Sequence, residues 1–82
     1  MIFVNVRSPA GRDIFVSGNH KKSFGMSPVV IARQAGTWTF ETLNNGVVDF
    51  RGTVEDAEDG ENIDLDLQPV GPAAVASGGG AS

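Results

Sequence analysis

Seven carboxylates fall within residues 55–66, in the stretch RGTVEDAEDGENIDLDLQP. Clustered carboxylates are the hard oxygen ligands that calcium takes. An EF-hand loop needs oxygen ligands at its first, third and fifth positions, glycine at the sixth and glutamate at the twelfth. With Gly60 as that glycine, the third position is Ala57 and the twelfth is Asp66. Ala57 has no side-chain oxygen, and Asp66 is too short for the usual bidentate contact, so the pattern fails. A looser set from Asp56, Glu58, Asp59 and Glu61 is chemically allowed. Two other readings compete with it: an acidic surface that docks a basic partner, and a solvated tip whose charges keep a sheet end soluble and unpaired. The solvated tip is preferred. No metal or cofactor is assigned, and Asp64 and Asp66 are the acids expected to meet a partner.

The second chemically varied stretch is VSGNHKKSFGMSP, residues 16–28. It holds the single histidine, His20, with Lys21, Lys22, Phe24 and Met26. A loop this long between strands exceeds the usual connection and is often functional. His20, Lys21, Lys22, Phe24 and Met26 are therefore candidate partner-binding residues. Phe24 either inserts into a neighbour or folds back over the open end of its own core. Two lysines and one aromatic fall short of a groove that tracks a nucleic-acid backbone. With one histidine and no cysteine the chain has little to build a nucleophile–base pair from. The expectation is a protein that is not an enzyme. Glu41 and Asp49 are expected to face each other on an exposed sheet surface near Arg51, as a surface cluster.

These residues need elements to position them. The β-branched and aromatic residues come in short runs separated by Gly, Pro, Asn and Asp, which is the pattern of an all-β sandwich or barrel. Six strands are predicted, over 2–7, 14–17, 29–34, 37–43, 47–54 and 63–68, all antiparallel. The predicted fold class is a small antiparallel β-sandwich or partly open barrel, immunoglobulin-like in general architecture. In TLNNGVV a three-residue loop of Asn44, Asn45 and Gly46 pairs Phe40 with Phe50 and Thr42 with Val48, with Gly46 at the left-handed position. A two-residue turn would turn Asp49 and Arg51 inward, because side chains alternate with a period of two. The inward face is then Trp38, Phe40, Val48, Phe50 and Val54, with Trp38 over Gly52. The outward face is Thr39, Glu41, Asp49 and Arg51. Gln34, Ala35 and Gly36 are expected to form another hairpin loop pairing Val30 with Phe40. Ile63, Leu65 and Leu67 alternate with Asp64 and Asp66 as an antiparallel strand with one wet face does. Residues 55–62 are expected to form a splayed loop, with Thr53 opposite Asp64.

Part of this chain resembles a known family. IFVSGNH at residues 14–20, followed by TWTF at 37–40, is similar to the start of starch-binding sandwich modules. The resemblance implies a sandwich architecture, not sugar binding; a carbohydrate- or other ligand-binding module is the alternative function. The tryptophan that family places soon after the Gly-Asn pair is missing here, where the chain reads HKKSFGM.

The net charge of −4 is split, +4 over residues 1–40 and −8 over 41–82. An acidic chain is repelled by nucleic acid, and no partner of that kind is expected, nor a membrane. The opening MIFVNVR has its arginine after the apolar run, the reverse of a secretory signal. The expected location is a virion, or the cytoplasm before assembly. Residues 69–82 read PVGPAAVASGGGAS, the composition of an extended tail beyond a 1–68 domain. Fully extended, that tail reaches about 45 Å, and Pro69, Val70 and Pro72 are candidate partner contacts. A domain of under 70 residues without cysteines usually leans on a partner chain. A short, acidic, cysteine-free β-protein with a reaching terminus resembles, in organisation, the capsid decoration (cement) proteins of tailed phages. That resemblance implies a non-enzymatic subunit that binds itself, a shell protein or both.

Overall fold

The structure is a computed structural model and describes residues 1–9 and 11–70. Seven strands form two sheets: β1 (Ile2–Arg7), β2 (Phe15–Val16), β3 (Val29–Arg33), β4 (Gly36–Asn44), β5 (Val47–Ala57), β6 (Asn62–Asp66) and β7 (Gln68–Pro69). One sheet has the order β3-β1-β6 and the other β2-β4-β5-β7. The chain is a small all-β sandwich and not a closed barrel. Among the described residues no helix is long and apolar enough to cross a membrane.

The period-two pattern places the core. Ile2, Val4 and Val6 of β1 and Ile31 of β3 are buried from one sheet, and Phe40 and Val54 from the other. Ile14 and Leu67 fill the space from the connections. Trp38, Phe50, Ile63 and Leu65 pack against this core, half-buried.

The pairing departs from expectation in four places. First, β1 and β6 are parallel, with Val4 opposite Ile63 and Val6 opposite Leu65. Parallel partners need a crossover, and residues 8–61 supply it by passing through both sheets.

Second, the expected Val30–Phe40 hairpin does not form. β3 pairs with β1 and β4 with β2 and β5, so Gln34 and Ala35 carry the chain between sheets.

Third, the β4–β5 turn has two central residues, Asn45 (φ 54°) and Gly46 (φ 81°), and Leu43 pairs with Val48. A bulge then restores the parity. Asp49 is the extra residue, so Thr42 meets Phe50, Glu41 meets Arg51 and Phe40 meets Gly52. One inserted residue turns the following strand over, which puts Phe50 inward and keeps Arg51 outward despite the two-residue turn.

Fourth, β5 runs on through Glu55 and Asp56 to Ala57, which is buried. The splayed acidic loop shrinks to residues 58–61, a connection between sheets. There Glu61 N–H donates to Glu58 O at 3.1 Å and Gly60 N–H to Met1 O at 2.8 Å. The Met1 ammonium pairs with Asp59. Phe40, not Trp38, is opposite Gly52, and Leu65 and Leu67 cover that glycine.

Candidate functional site

Two surfaces carry the chemically distinctive residues. The first is built on the outer side of β4. Glu41 was expected on an open face, yet it is 2% exposed. The chain after β2 turns back over it, because Ser17 N–H donates to Thr39 O at 2.9 Å and Asn19 N–H to Val16 O at 3.0 Å. This brings His20 down onto Glu41. His20 Nε2–H donates to Glu41 Oε1 at 2.6 Å, and Arg51 Nε–H, directly across the ladder, donates to Oε2 at 2.8 Å. The His20 ring also meets Phe15 edge-on, with centroids 5.8 Å apart. Burial by itself pushes the Glu41 carboxyl up. Hydrogen bonds from His20, Arg51 and Ser17, and the charge of Arg51, outweigh burial and hold it below its ordinary value of 4.5. Asp49, expected beside Glu41, is instead turned by the bulge to accept from Thr42 Oγ1 and to pair with Arg12.

This lowered carboxyl makes stability depend on pH. Above 4.5 the unfolded and folded carboxyls are both ionised, and the pinned charge contributes in full. As pH falls below that value the unfolded state takes up the proton first, and the contribution is lost. In thermal melts across the acid range, Glu41→Gln is expected to flatten part of the acid-side drop while melting lower than wild type near neutrality. An unchanged acid slope in the variant would refute the assignment.

The same connecting loop closes one end of the sandwich. Phe24 folds back against the core, as the second of its two expected arrangements has it, and Phe24 N–H donates to Ile14 O at 2.9 Å. Arg33 follows the inward parity of Val29 and Ile31, so its guanidinium enters this end. Its Cζ is 4.5 Å from the Phe24 centroid and 5.3 Å from that of Trp38. Trp38 Nε1–H donates to Gln34 O at 2.8 Å. Arg33 thus lies over one side of the Trp38 ring, which is half-buried. Lys21, Lys22 and Met26 are exposed on this loop.

The second surface is the outward side of β3-β1-β6. It grades from apolar to acidic. Phe3 (41% exposed) and Val30 (63%) are its apolar residues, with Ala32 exposed opposite Phe3. Asn5 Nδ2–H donates to Asp64 Oδ1 at 3.4 Å, and Arg7 Nε–H to Asp66 Oδ1 at 2.7 Å. The two acids proposed to meet a basic partner are thus met first by β1, at the residues facing them in the parallel ladder. A shallow groove of about 330 Å³ lies at the end of β1, between residues 7–9 and 66–69.

Comparison with protein-family models, curated proteins and solved structures returned no match. The candidate residues therefore stand on geometry alone. His20, Lys21, Lys22, Phe24 and Met26 share one loop, while Asp64 and Asp66 lie on the other sheet. Pro69 pairs with Phe50 in β7, and Val70 N–H donates to Asp49 O at 3.0 Å. Pro72 and the rest of the expected tail lie outside the described residues. Among the described residues no three His, Asp or Glu side chains converge as a metal site. Sequence reasoning missed Glu41 as a buried group, Arg33 and the apolar strip of Phe3, Val30 and Ala32. Arg33 had a usable signal, its inward parity. Glu41 had none, because its cover arrives from residues far along the chain.

Proposed function

We infer that the protein is a non-enzymatic structural subunit that joins a larger assembly by adding a strand at the β3 edge. The capsid decoration proteins of virion shells are the kind of subunit meant. One observation carries this reading: β3 is an open edge without a guard. It lies at the end of its sheet, and among the described residues no further backbone hydrogen bond reaches it. Natural edges are usually blunted by charge, proline or a bulge. The opposite edge, β6, has Asp64 and Asp66 for that purpose. The β3 edge presents Val30 and Ala32 beside Phe3, and its only charge, Arg33, is turned inward. Main-chain pairing supplies affinity at such an edge, and alternate side chains supply specificity. The first partner meant is a second copy, with two β3 strands pairing antiparallel and the two three-stranded sheets becoming one.

Light scattering coupled to size exclusion tests this. The wild-type chain is expected to associate as its concentration rises. Val30→Lys, which charges the edge without touching the core, is expected to remain a folded monomer. A wild type that stays monomeric throughout, or a Val30→Lys variant that associates equally well, refutes the reading.

A further inference from the structure

We propose that Asn45 is a self-modification site, where the main-chain nitrogen of Gly46 displaces the Asn45 side-chain amide and leaves an isoaspartyl link at the tip of the β4–β5 hairpin. The atoms balance with water as the one co-reactant. Gly46 N gives its proton to solvent base and bonds to Asn45 Cγ. The Cγ–Nδ2 bond breaks, and ammonia leaves. Water then opens the cyclic imide at either carbonyl, returning the chain as aspartate or, mostly, as isoaspartate.

Both reacting groups are available. Asn45 and Gly46 are exposed. Among the described residues Gly46 N–H donates to no backbone carbonyl, and the Asn45 carboxamide has no hydrogen-bond partner. A Cβ at Gly46 would meet nothing within 4 Å, so no neighbour crowds the attacking nitrogen. The chain has four other asparagines, and each is worse placed. Asn5 and Asn62 lie within β1 and β6, before the branched Val6 and Ile63, and the Asn5 carboxamide donates to Asp64. Asn19 precedes His20 and Asn44 precedes Asn45, so a side chain stands beside each nitrogen that would attack. Asp59 also precedes a glycine, but its carboxylate is a poor electrophile and pairs with the Met1 ammonium.

Asn45 and Gly46 are both left-handed, at φ 54° and 81°, so the attack waits on local opening of the tip. A tip opens at far lower cost than the domain unfolds, and Val47, which closes the turn opposite Asn44, is 67% exposed. The two products differ in consequence. Asp-Gly suits a two-residue hairpin turn as Asn-Gly does. Isoaspartate adds a main-chain atom to a turn whose register pairs Leu43 with Val48. Arg12 grips the hairpin just beyond, donating from Nη1 to Leu43 O at 3.4 Å and pairing with Asp49. Isoaspartate at the tip is therefore expected to loosen that grip.

The test is to age the full chain in neutral buffer at body temperature, following ammonia release and mapping peptide masses and isoaspartyl content. Asn45 is expected to convert first of the five asparagines, mostly to isoaspartate. Asn45→Gly keeps a Gly-Gly turn that hairpins favour and is expected to lose the early ammonia release. Asn45→Asp reproduces the aspartyl product, and the isoaspartyl fraction of aged wild type is expected to melt several degrees below it. The proposal is overturned if another asparagine converts first, if none converts, if Asn45→Gly releases ammonia as fast as wild type, or if the isoaspartyl fraction melts with Asn45→Asp.

Discussion

Gly52→Val is expected to lower the thermal midpoint by roughly 12–24 °C, the equivalent of about 3 kcal/mol in a domain of this size. The reason is the contact between sheets at that point. A Cβ at Gly52 would stand 2.8 Å from Leu67 Cδ2 and 3.1 Å from Leu65 Cδ1. Real Cβ atoms do not approach so closely, so a leucine must move. Leu67 is 2% exposed and belongs to the buried core, so it cannot move without displacing its core neighbours. Alanine is expected to be milder, because it brings the same Cβ without the two further methyl groups of valine. Residues in contact do not add independently. In a Leu67→Ala background the cost of Gly52→Val is therefore expected to shrink. Equal costs in both backgrounds, read from urea unfolding curves, would remove the explanation.

Phe40→Ala is expected to cost about 3–5 kcal/mol, from lost transfer energy and the cavity it leaves. Phe40 is fully buried and is the largest of the fully buried side chains. It lies between Val16 of β2 and Gly52 of β5 in the ladder. A folded domain has only about 5–15 kcal/mol in total, and one of this length sits low in that range because it buries less of its surface. The variant is expected to be largely unfolded near body temperature. Val47→Ala, at a position 67% exposed, is the control and is expected to stay within about 0.5 kcal/mol of wild type. If urea midpoints place the two variants together, Phe40 is not the keystone of this core.

Much of the secondary structure was legible locally. The alternation of Ile2, Val4 and Val6 marks β1 from end to end, and Val29 and Ile31 mark the inward side of β3. Asn45 and Gly46 mark a turn whose left-handed conformations those two residue types tolerate. The inward parity of Trp38, Phe40, Phe50 and Val54 also follows from a period of two. Of the expected candidate site, the Phe24 loop could be read as the cap of an open end, and its long connection marked it out.

The rest came from contacts between distant residues. Parity says which face a side chain takes, but not which strand lies beside it. Only the packing of both sheets makes β6 a parallel neighbour of β1 and puts β3 and β4 in different sheets. The bulge at Asp49 reconciles a two-residue turn with the inward parity of Phe50, and no residue type announces it. Glu41 reads as an outward acid until Ser17 and His20 fold over it, and Asp66 reads as a free charge until Arg7 is laid alongside. The sequence by itself determined the strands, their faces and a small all-β sandwich, because those depend on neighbours a few residues apart. Only the tertiary structure decided the strand partners, the buried Glu41 and the unguarded β3 edge, because each depends on groups that meet across tens of residues of chain.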